Sequence, residues 1–479
     1  MRSLTKNFQI GATYAFVKYC VLALAFLKTL LIAYYLGPEL LGTYALVILI
    51  VEYLNYINLG VFNSMTRDIS LFLTDKNKER EIDLTEGNAI SFSLIASIFL
   101  LAVLFLFSFM SNSVLPEEVA AYIPIMFVLV VIYQLKQFIL RHLRLFENFF
   151  LLGAIEFMAQ LLNLIGVVLF IESYLIDAVV FSILISNIFL LLFGFAFSRK
   201  VKLTFNFQKI KYLIKAGFPI LLYSIFLLLL TSIDRVMIGF FYSDIKALGY
   251  YQLGLSLAVG LFTVFNAITF LFLPKWLRFF SLNDNEMTSL KIESLKEQTY
   301  FLELLLVVLS LLGIIAIPYF IKTYLVEFEV SIIIMQFLLM SSVVLHMTFF
   351  AITYLNSNNH QVKTLPSLLI AVFFSAIMNY LFISLGYGLY GIAFAKILSL
   401  FIYGFLIFKL LLKISELPFL LNFFKIYIRI IVFFSFLSFI VYEQISIWFA
   451  FIPLVCVYSK AVYRLWHLIR MNFKNLLIT

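Results

Sequence analysis

The sequence predicts an all-α integral membrane protein with about fourteen transmembrane helices, and three observations support this fold class. Hydrophobic residues make up 64% of the 479 positions and charged residues only 12%, whereas soluble domains carry about a quarter charged residues. Apolar runs recur along the whole chain, and each is long enough to cross roughly 30 Å of hydrocarbon as a helix. Lys and Arg cluster between alternate pairs of these runs. Together these features exclude an ordinary soluble domain.

The predicted spans follow from the apolar runs taken in order. The first run comes after Arg2 and Lys6 but is not followed by a small-residue cleavage site, so we expect a retained helix and not a signal peptide. The loops predicted to face outward are short, and no polar segment is long enough for a separate globular domain. The spans are residues 10–35, 41–64, 88–110, 119–140, 149–171, 175–197, 217–241, 248–272, 300–321, 331–354, 365–384, 388–408, 426–442 and 446–466.

The distribution of Lys and Arg predicts the orientation of these spans. With fourteen spans, 28 of the 34 Lys and Arg residues fall on one side of the membrane and only Lys246 and Lys322 on the other. By the positive-inside rule, both termini are expected in the cytoplasm. The formal net charge of +9 is explained by these loops, so no nucleic-acid partner is expected.

The chain lacks the motifs of the common catalytic and metal-binding classes. It contains no Walker A loop, no zinc constellation and no nucleophile elbow, so we expect a protein that is not an enzyme and holds no cofactor or metal. Cys20 and Cys456 lie in separate apolar segments and are interpreted as small hydrophobic residues. Function is therefore expected inside the helical bundle.

An internal repeat appears when the chain is shifted by 207 residues. Residues 28–46 then align without a gap to residues 235–253, and each copy contains a helix, a short outward turn and the start of the next helix. The first residues of the two copies, Lys28 and Arg235, are both cations. The identical pairs are Tyr35/Tyr242, Leu41/Leu248, Gly42/Gly249, Tyr44/Tyr251 and Leu46/Leu253.

The repeat predicts two parallel six-helix lobes around a central cavity, because six predicted spans precede the second copy. Such lobes, related by an axis along the membrane normal, are typical of alternating-access transporters. The predicted division is a first lobe at 1–198, a basic cytoplasmic linker at 199–216 along the anionic leaflet, a second lobe at 217–412, and two further helices with a tail at 413–479.

Three segments carry a resemblance to a known family. They are residues 35–46 (YLGPELLGTYAL), residues 216–224 (AGFPILLYS) with the downstream segment 231–243 (TSIDRVMIGFFYS), and residues 386–399 (GYGLYGIAFAKILS). Their order and spacing resemble the Wzx-type polysaccharide flippases, in the MATE/MOP superfamily that also contains multidrug exporters and lipid II flippases. Residues 174–186 lack the two glycines of the corresponding segment at 387–399, so the repeat has diverged there.

The resemblance implies a flippase that moves undecaprenyl-pyrophosphate-linked oligosaccharide repeat units across the bacterial cytoplasmic (inner) membrane. Its product would serve a surface polysaccharide such as the O-antigen of lipopolysaccharide. The implied partners are the lipid-linked oligosaccharide, membrane lipid, a polysaccharide polymerase and a chain-length regulator, and coupling to H⁺ or Na⁺ is compatible with the family.

Charged residues inside the predicted spans are the candidate site residues, because a charge in hydrocarbon is costly unless it faces a cavity or a partner. The substrate-binding candidates are the cations Lys28, Arg235, Lys396 and Lys18. Phosphate or acidic sugars suit such cations, but each of them is equally compatible with a structural ion pair.

Acidic and polar residues follow helical spacing in the second and fifth spans. Glu52, Asp234 and Glu156 are candidates for ion coupling or for balancing the charge of the cations. Neighbouring polar residues, namely Asn55, Tyr56 and Asn63 beside Glu52, and Gln160 and Asn163 beside Glu156, suit hydrogen bonding to sugar hydroxyls. Hydrogen bonding between helices explains the same pattern.

Two alternatives to the flippase remain open from the sequence. A cation-coupled multidrug exporter would have the same architecture, but its cavity would be dominated by acidic residues, and here the deep cations outnumber the deep carboxylates. A membrane-embedded polysaccharide polymerase is a third class, for which a large outward loop or a carboxylate-rich active site is expected.

Overall fold

The computed structural model describes residues 2–73, 78–108, 117–281, 288–358, 360–415 and 419–443, with Phe449 and Tyr458. Within these ranges the chain is helical and contains no β-strand. The helices are α1 (Arg2–Leu54), α2 (Val61–Phe72), α3 (Glu79–Ser108), α4 (Glu117–Ala120), α5 (Ile123–Leu145), α6 (Phe149–Phe197), α7 (Phe207–Phe241), α8 (Lys246–Ser281), α9 (Thr288–Tyr324), α10 (Ser331–Met347), α11 (Phe349–Ser357), α12 (Leu365–Ser384), α13 (Gly388–Ile414) and α14 (Phe419–Tyr442). The predicted outward loop at 111–118 and the fourteenth span at 446–466 lie largely outside the described residues.

The described helices include eight that are long and apolar enough to cross a membrane. Two of these stretches, of 46 and 49 residues, are long enough to cross twice at 1.5 Å per residue. Each contains one non-helical residue, Gly37 in α1 and Leu175 in α6. The second break, at Leu175, falls on the first residue of the predicted span 175–197 and thus just beyond the predicted loop. The structure thus confirms an all-α membrane protein.

The second predicted span ends earlier than the sequence suggested. Span 41–64 is interrupted because α1 stops at Leu54 and a 3-10 turn covers Asn55–Asn58. Leu59 and Gly60 then adopt left-handed φ angles of 47° and 82°. Gly60 tolerates this conformation because it has no Cβ atom that could clash. The side-chain Oδ1 of Asn58 accepts a hydrogen bond from Gly60 N at 3.0 Å. This local bond holds the chain in a sharp break before α2.

The basic linker predicted at 199–216 is shorter in the structure, because α7 already begins at Phe207. Asn206 has extended backbone angles, and its Oδ1 accepts hydrogen bonds from the amides of Gln208 and Lys209. This is a helix N-cap, which satisfies two amides that lack intrahelical partners. Only residues 199–206 therefore form a non-helical connection.

The chain divides into two compact units, and the first comprises residues 1–252 with 263–271. The first unit thus includes α7 and the start of α8, which the predicted lobe boundary at 216/217 places in the second lobe. One core cluster joins α1, α5 and α6 through Tyr14, Ile139 and Leu152. A second cluster joins α2, α3, α5 and α7 through Phe62, Phe138 and Leu213.

The second unit comprises residues 253–262 and 272–479. Here α14 is attached to α9 by a partly buried ion pair, in which Arg429 Nη2 donates to Glu303 Oε2 at 2.9 Å. The hydroxyl of Tyr458 donates to the other oxygen of Glu303 at 2.5 Å, and the Arg429 guanidinium lies 4.2 Å from the ring centroid of Tyr300. These contacts satisfy the buried Glu303 carboxylate from both sides.

Candidate functional site

A polar cavity of about 310 Å³ lies inside the first unit, where α1 breaks before α2. Four residues predicted from their spacing, Glu52, Asn55, Tyr56 and Asn63, line it together. The remaining lining residues come from the break itself, α5 and α7, and they are Asn58, Gln137, Arg141, Leu221, Ser224 and Leu228. The spacing argument thus located one wall of a cavity whose other walls come from distant helices.

Gln134 of α5 holds the break in place. Its Nε2 donates to the carbonyl oxygen of Asn55 at 2.7 Å, and its Oε1 accepts from Asn58 Nδ2 at 3.2 Å and from Ser93 Oγ at 3.1 Å. Gln134, Asn58 and Ser93 are all buried, where an unpaired amide would be costly. This network satisfies the backbone where the helix stops and fixes the cavity wall.

Two cations of α5, Lys136 and Arg141, are functional candidates that the sequence reasoning missed. Both were assigned to the basic side of the membrane, but α5 continues to Leu145 and keeps them on the helix. Arg141 lines the cavity and donates to Asn63 Oδ1 at 2.9 Å. Lys136 donates to Asn187 Oδ1 at 2.8 Å. The sequence contained one indication of this, because Lys136 falls inside the predicted span 119–140.

Arg235 of α7 is buried and lies against the same cavity through Glu52. Its Nη2 donates to Glu52 Oε2 at 3.5 Å, while Glu52 keeps 41% of its side chain exposed. The Nε of Arg235 is buried and has no hydrogen-bond partner within the described part of the chain. Arg235 therefore forms a long ion pair with Glu52, and its Nε can still donate a hydrogen bond to another group.

Lys28, the repeat equivalent of Arg235, has a different environment. It is half-buried on α1, and among the residues that the structure describes it has no hydrogen-bond or ion-pair partner. Lys136 is close enough for the two positive charges to interact. Lys136 and Arg141 likewise have no carboxylate partner within ion-pair distance in the described ranges. Among the described residues, none of these three cations thus has a carboxylate within ion-pair distance, although the charge of Glu156 acts on Lys136.

The candidates Lys18 and Glu156 contact each other. Lys18 Nζ lies 2.5 Å from the Glu156 carboxylate, and Tyr14 OH donates to the same carboxylate at 3.4 Å. Glu156 thus neutralises Lys18 and not the deeper Lys28. Of the polar residues that follow Glu156 along α6, Gln160 Nε2 and Asn163 Oδ1 are buried without hydrogen-bond partners in the described chain.

The last two candidates are buried in different units. Asp234 accepts hydrogen bonds from the Tyr251 hydroxyl and, at 2.9 Å, from the Arg235 backbone amide. These contacts make Asp234 a fixed part of the α7–α8 packing in the first unit. Lys396 is 6% exposed on α13, in the second unit. The substrate-binding and coupling roles of all these candidates stay predictions.

The first unit therefore offers a mixed set of polar groups. Amides and hydroxyls of the cavity donate and accept hydrogen bonds, as sugar hydroxyls require. The guanidinium of Arg141 offers the planar fork that binds phosphate or carboxylate oxygens. Within the described ranges, no group of three or more His, Cys, Asp or Glu residues is arranged to hold a metal ion.

Comparison with known structures identifies the fold. A lipid II flippase, MurJ, in an inward closed conformation aligns with a TM-score of 0.70 at 17% identity, covering 95% of this chain and 99% of that chain. An inward-facing multidrug resistance MATE family transporter of the MOP superfamily aligns with a TM-score of 0.65 at 15% identity, covering 84% and 98%. The MATE transporter VcmN of Vibrio cholerae, in its bent form, aligns with a TM-score of 0.57 at 15% identity, covering 87% and 98%. At such low identity the likeness shows the fold alone.

The sequence comparison identifies the family. No curated protein sequence matches the chain significantly. The family model described as "Polysaccharide biosynthesis protein" matches residues 31–302, which include both repeat copies and the cavity. Because this match covers more than half of the chain, the protein belongs to the polysaccharide biosynthesis protein family and has the fold of the MOP-superfamily transporters.

Proposed function

We propose that this protein is a flippase that moves undecaprenyl-pyrophosphate-linked oligosaccharide repeat units from the cytoplasmic to the periplasmic leaflet of the bacterial cytoplasmic membrane by alternating access. The family and the transporter fold support a lipid-linked precursor of a polysaccharide as the cargo. Such a unit would be exported to a polymerase and its chain-length regulator, for a surface glycan such as an O-antigen. Both termini face the cytoplasm in this proposal, as the Lys and Arg distribution predicts.

The proposal rests on the excess of positively charged side chains in the first unit, which also contains the cavity wall formed by amide side chains. Lys28, Lys136 and Arg141 have no carboxylate partners among the described residues, whereas Glu52 already pairs with Arg235. A pyrophosphate supplies the missing negative charge, and charge-assisted hydrogen bonds to it are stronger than those between neutral groups. The neighbouring Asn55, Tyr56 and Asn63 suit the first sugars.

A second candidate function is export of amphipathic drugs coupled to H⁺ or Na⁺. The likeness to a multidrug resistance MATE transporter favours it, as does the exposed carboxylate of Glu52 in the cavity. Glu52 is the carboxylate best placed to bind a coupling ion in either function. The cations Lys28, Lys136 and Arg141 argue against a cationic drug as the cargo, because like charges repel.

A deletion strain complemented with variants tests the proposal. Loss of the gene should abolish a surface polysaccharide while lipid-linked repeat units accumulate in the cells, both measured by mass spectrometry. Wild-type protein should restore export, and Arg141→Gln should not, because the amide can still donate hydrogen bonds but lacks the charge. Lys322→Gln is the matched control, since Lys322 belongs to an exposed ion pair with Glu329, and such pairs contribute little.

The opposite phenotype would contradict the proposal. Unchanged surface polysaccharide in the deletion strain, together with increased sensitivity to cationic drugs, would support the multidrug exporter. Western blots of the membrane fraction must show equal amounts of all variants, so that a loss of export is not a loss of protein.

A further inference from the structure

The α6–α7 segment, residues 199–215, comprises the non-helical connection and the first turns of α7, and it is held against α3. The side chain of Asn88 on α3 is buried. Its Nδ2 donates to Thr204 Oγ1 at 3.1 Å, and its Oδ1 accepts a hydrogen bond from the backbone amide of Asn206. A Cβ atom added to the neighbouring Gly87 would overlap a backbone carbonyl oxygen of the segment. These contacts fix the backbone of the connection and thereby the direction of its side chains.

Three large apolar side chains of the α6–α7 segment are exposed. Leu203, Phe205 and Phe207 are 65%, 61% and 72% exposed, whereas Val201 packs against the second core cluster. Contact of large apolar side chains with water is unfavourable. We therefore expect a surface outside the chain to cover these three side chains.

The α6–α7 segment begins at the boundary of the hydrocarbon. The half of α6 that follows its break at Leu175 ends at Phe197, about 33 Å further along the helix. This length matches the hydrocarbon thickness of roughly 30 Å, so the segment starts at the level of the lipid headgroups. The distribution of Lys and Arg predicts that this is the cytoplasmic side. The exposure of these apolar side chains is thus not explained by a membrane-spanning helix.

The α6–α7 segment is also strongly basic, with six Lys and Arg residues and no Asp or Glu. Two of the six cations pair with α3. Arg199 Nη2 lies 2.7 Å from Asp83 Oδ1, and Lys209 Nζ lies 3.6 Å from Glu81 Oε2. The other four are exposed and have no ion-pair partner in the described part of the chain, namely Lys200, Lys202, Lys211 and Lys215. Clusters of this size beside a membrane-spanning helix are attracted to anionic lipids.

We infer that the α6–α7 segment binds the anionic lipids of the cytoplasmic leaflet. Leu203, Phe205 and Phe207 insert between the headgroups, and the four lysines bind the lipid phosphates. The sequence alone predicts only a basic linker along this leaflet, whereas the structure adds the exposed apolar side chains and the contacts with α3 that hold them. The anchor keeps the cytoplasmic ends of α3 and α7 at the membrane surface, and it does not depend on the identity of the cargo.

Fluorescence quenching tests the anchor in the full-length protein. A nitrobenzoxadiazole label on Gln208→Cys, with Cys20 and Cys456 replaced by Ala, leaves every apolar and basic residue of the segment in place. The protein is reconstituted into vesicles of phosphatidylcholine alone or mixed equally with phosphatidylglycerol. In the mixed vesicles we expect strong quenching by a lipid that is spin-labelled near its headgroup and weak quenching by aqueous acrylamide. In phosphatidylcholine alone, acrylamide quenching should increase severalfold, because this lipid carries no net negative charge.

Two variants separate the apolar contribution from the basic one. Leu203→Ser/Phe205→Ser/Phe207→Ser should expose the label to acrylamide in both kinds of vesicle, because the inserting side chains are lost. Lys202→Gln/Lys211→Gln should reduce the difference between the two kinds of vesicle severalfold, because fewer charges remain to bind phosphatidylglycerol.

The matched control is Lys409→Gln/Lys413→Gln. It removes two exposed cations from the C-terminal part of α13 and should leave the quenching of the label unchanged. A label on Ser243→Cys, in the turn between α7 and α8, should not respond to phosphatidylglycerol.

Two results would overturn the anchor. Equal acrylamide quenching in both kinds of vesicle, unchanged by either variant, would mean that the α6–α7 segment lies in water. Weak quenching by both acrylamide and the spin-labelled lipid would mean that protein covers the segment. Thermal unfolding shows whether the serine variant is folded, and if it is not, the lysine variant decides the test because it changes only exposed side chains.

Discussion

At the scale of single residues, the repeat places two cations at equivalent positions, and the fold gives them unequal partners. Arg235 pairs with Glu52 at 3.5 Å. The shift that relates Lys28 to Arg235 relates Glu52 to Val259, so the equivalent carboxylate does not exist for Lys28. The two copies of the repeat therefore differ in charge. Arg235 has a countercharge, whereas Lys28 has none among the described residues.

Substitution of Lys28 tests this asymmetry. We expect Lys28→Gln to reduce export about ten- to a hundredfold, because a charge-assisted hydrogen bond contributes about 1.5–3 kcal/mol and 1.4 kcal/mol is a factor of ten. Protein level should stay normal, since no buried partner is left unpaired. Lys28→Arg should retain part of the activity because it keeps the charge. Export rates in complemented cells or liposomes provide the measurement.

Arg235 should respond differently. Arg235→Gln removes the partner of Glu52 and leaves a carboxylate in the cavity, which repels an anionic cargo. Adding Glu52→Gln should recover part of the export that Arg235→Gln loses, whereas Glu52→Gln should not rescue Lys28→Gln. Equal rescue of both single variants would contradict the asymmetric pairing.

At the scale of helices, α2 and α7 are joined by the approach of two glycines. A Cβ on Gly217 would overlap the carbonyl oxygen of Gly60, and a Cβ on Gly60 would overlap that of Gly217. Ser64 strengthens the contact by donating to the carbonyl oxygen of Leu213 at 2.7 Å. The cavity draws walls from the α1–α2 break and from α7, which are the two segments that this approach holds together.

Gly217→Ala should therefore be destabilising. We expect a loss of about 1–3 kcal/mol, the usual range for overpacking a well-packed site, together with impaired export. Thermal unfolding of the purified protein in detergent measures it. Gly153→Ala is the control, because a Cβ there meets only side chains, at 3.4 Å and beyond, and only a small change is expected. Equal unfolding temperatures for Gly217→Ala and wild type would show that the α2–α7 approach is not tight.

At the scale of the whole molecule, the number of membrane crossings can be tested at two exposed serines. Ser70 lies on α2, and Ser243 lies in the turn between α7 and α8. Five crossings separate them, namely α3, α5, the two halves of α6, and α7. An odd number of crossings places them on opposite sides. Ser70→Cys should react with an impermeant maleimide only from the cytoplasm and Ser243→Cys only from the periplasm.

The outcome of this labelling is decisive for the topology. The native Cys20 and Cys456 are replaced by Ala in both variants, so that each signal comes from one position. Labelling of both serine positions from one side would mean that one of the five crossings does not exist. Labelling with the sides exchanged would keep the helix count and reverse the predicted orientation.

The sequence by itself determined the properties that depend on local composition. Membrane insertion follows from runs of apolar residues, and the repeat and the family follow from residues that are compared position by position. Helical spacing also predicted that Glu52, Asn55, Tyr56 and Asn63 share one face of a helix, since residues three and four apart are neighbours there. In the structure the helix breaks at residues 55–60, between Glu52 and Asn63. These four residues all line the cavity.

Only the tertiary structure decided which distant groups meet. Glu52 and Arg235 are 183 residues apart in the chain and Lys18 and Glu156 are 138 apart, so no local pattern could predict these pairs. The end of α5 at Leu145 brought Arg141 into the cavity, although the apolar run ends before it. Gly42 and Gly249 face each other only because the two helices that carry them cross. Local hydrophobicity selects the helices, whereas the countercharges and close contacts arise from packing between segments that the sequence separates.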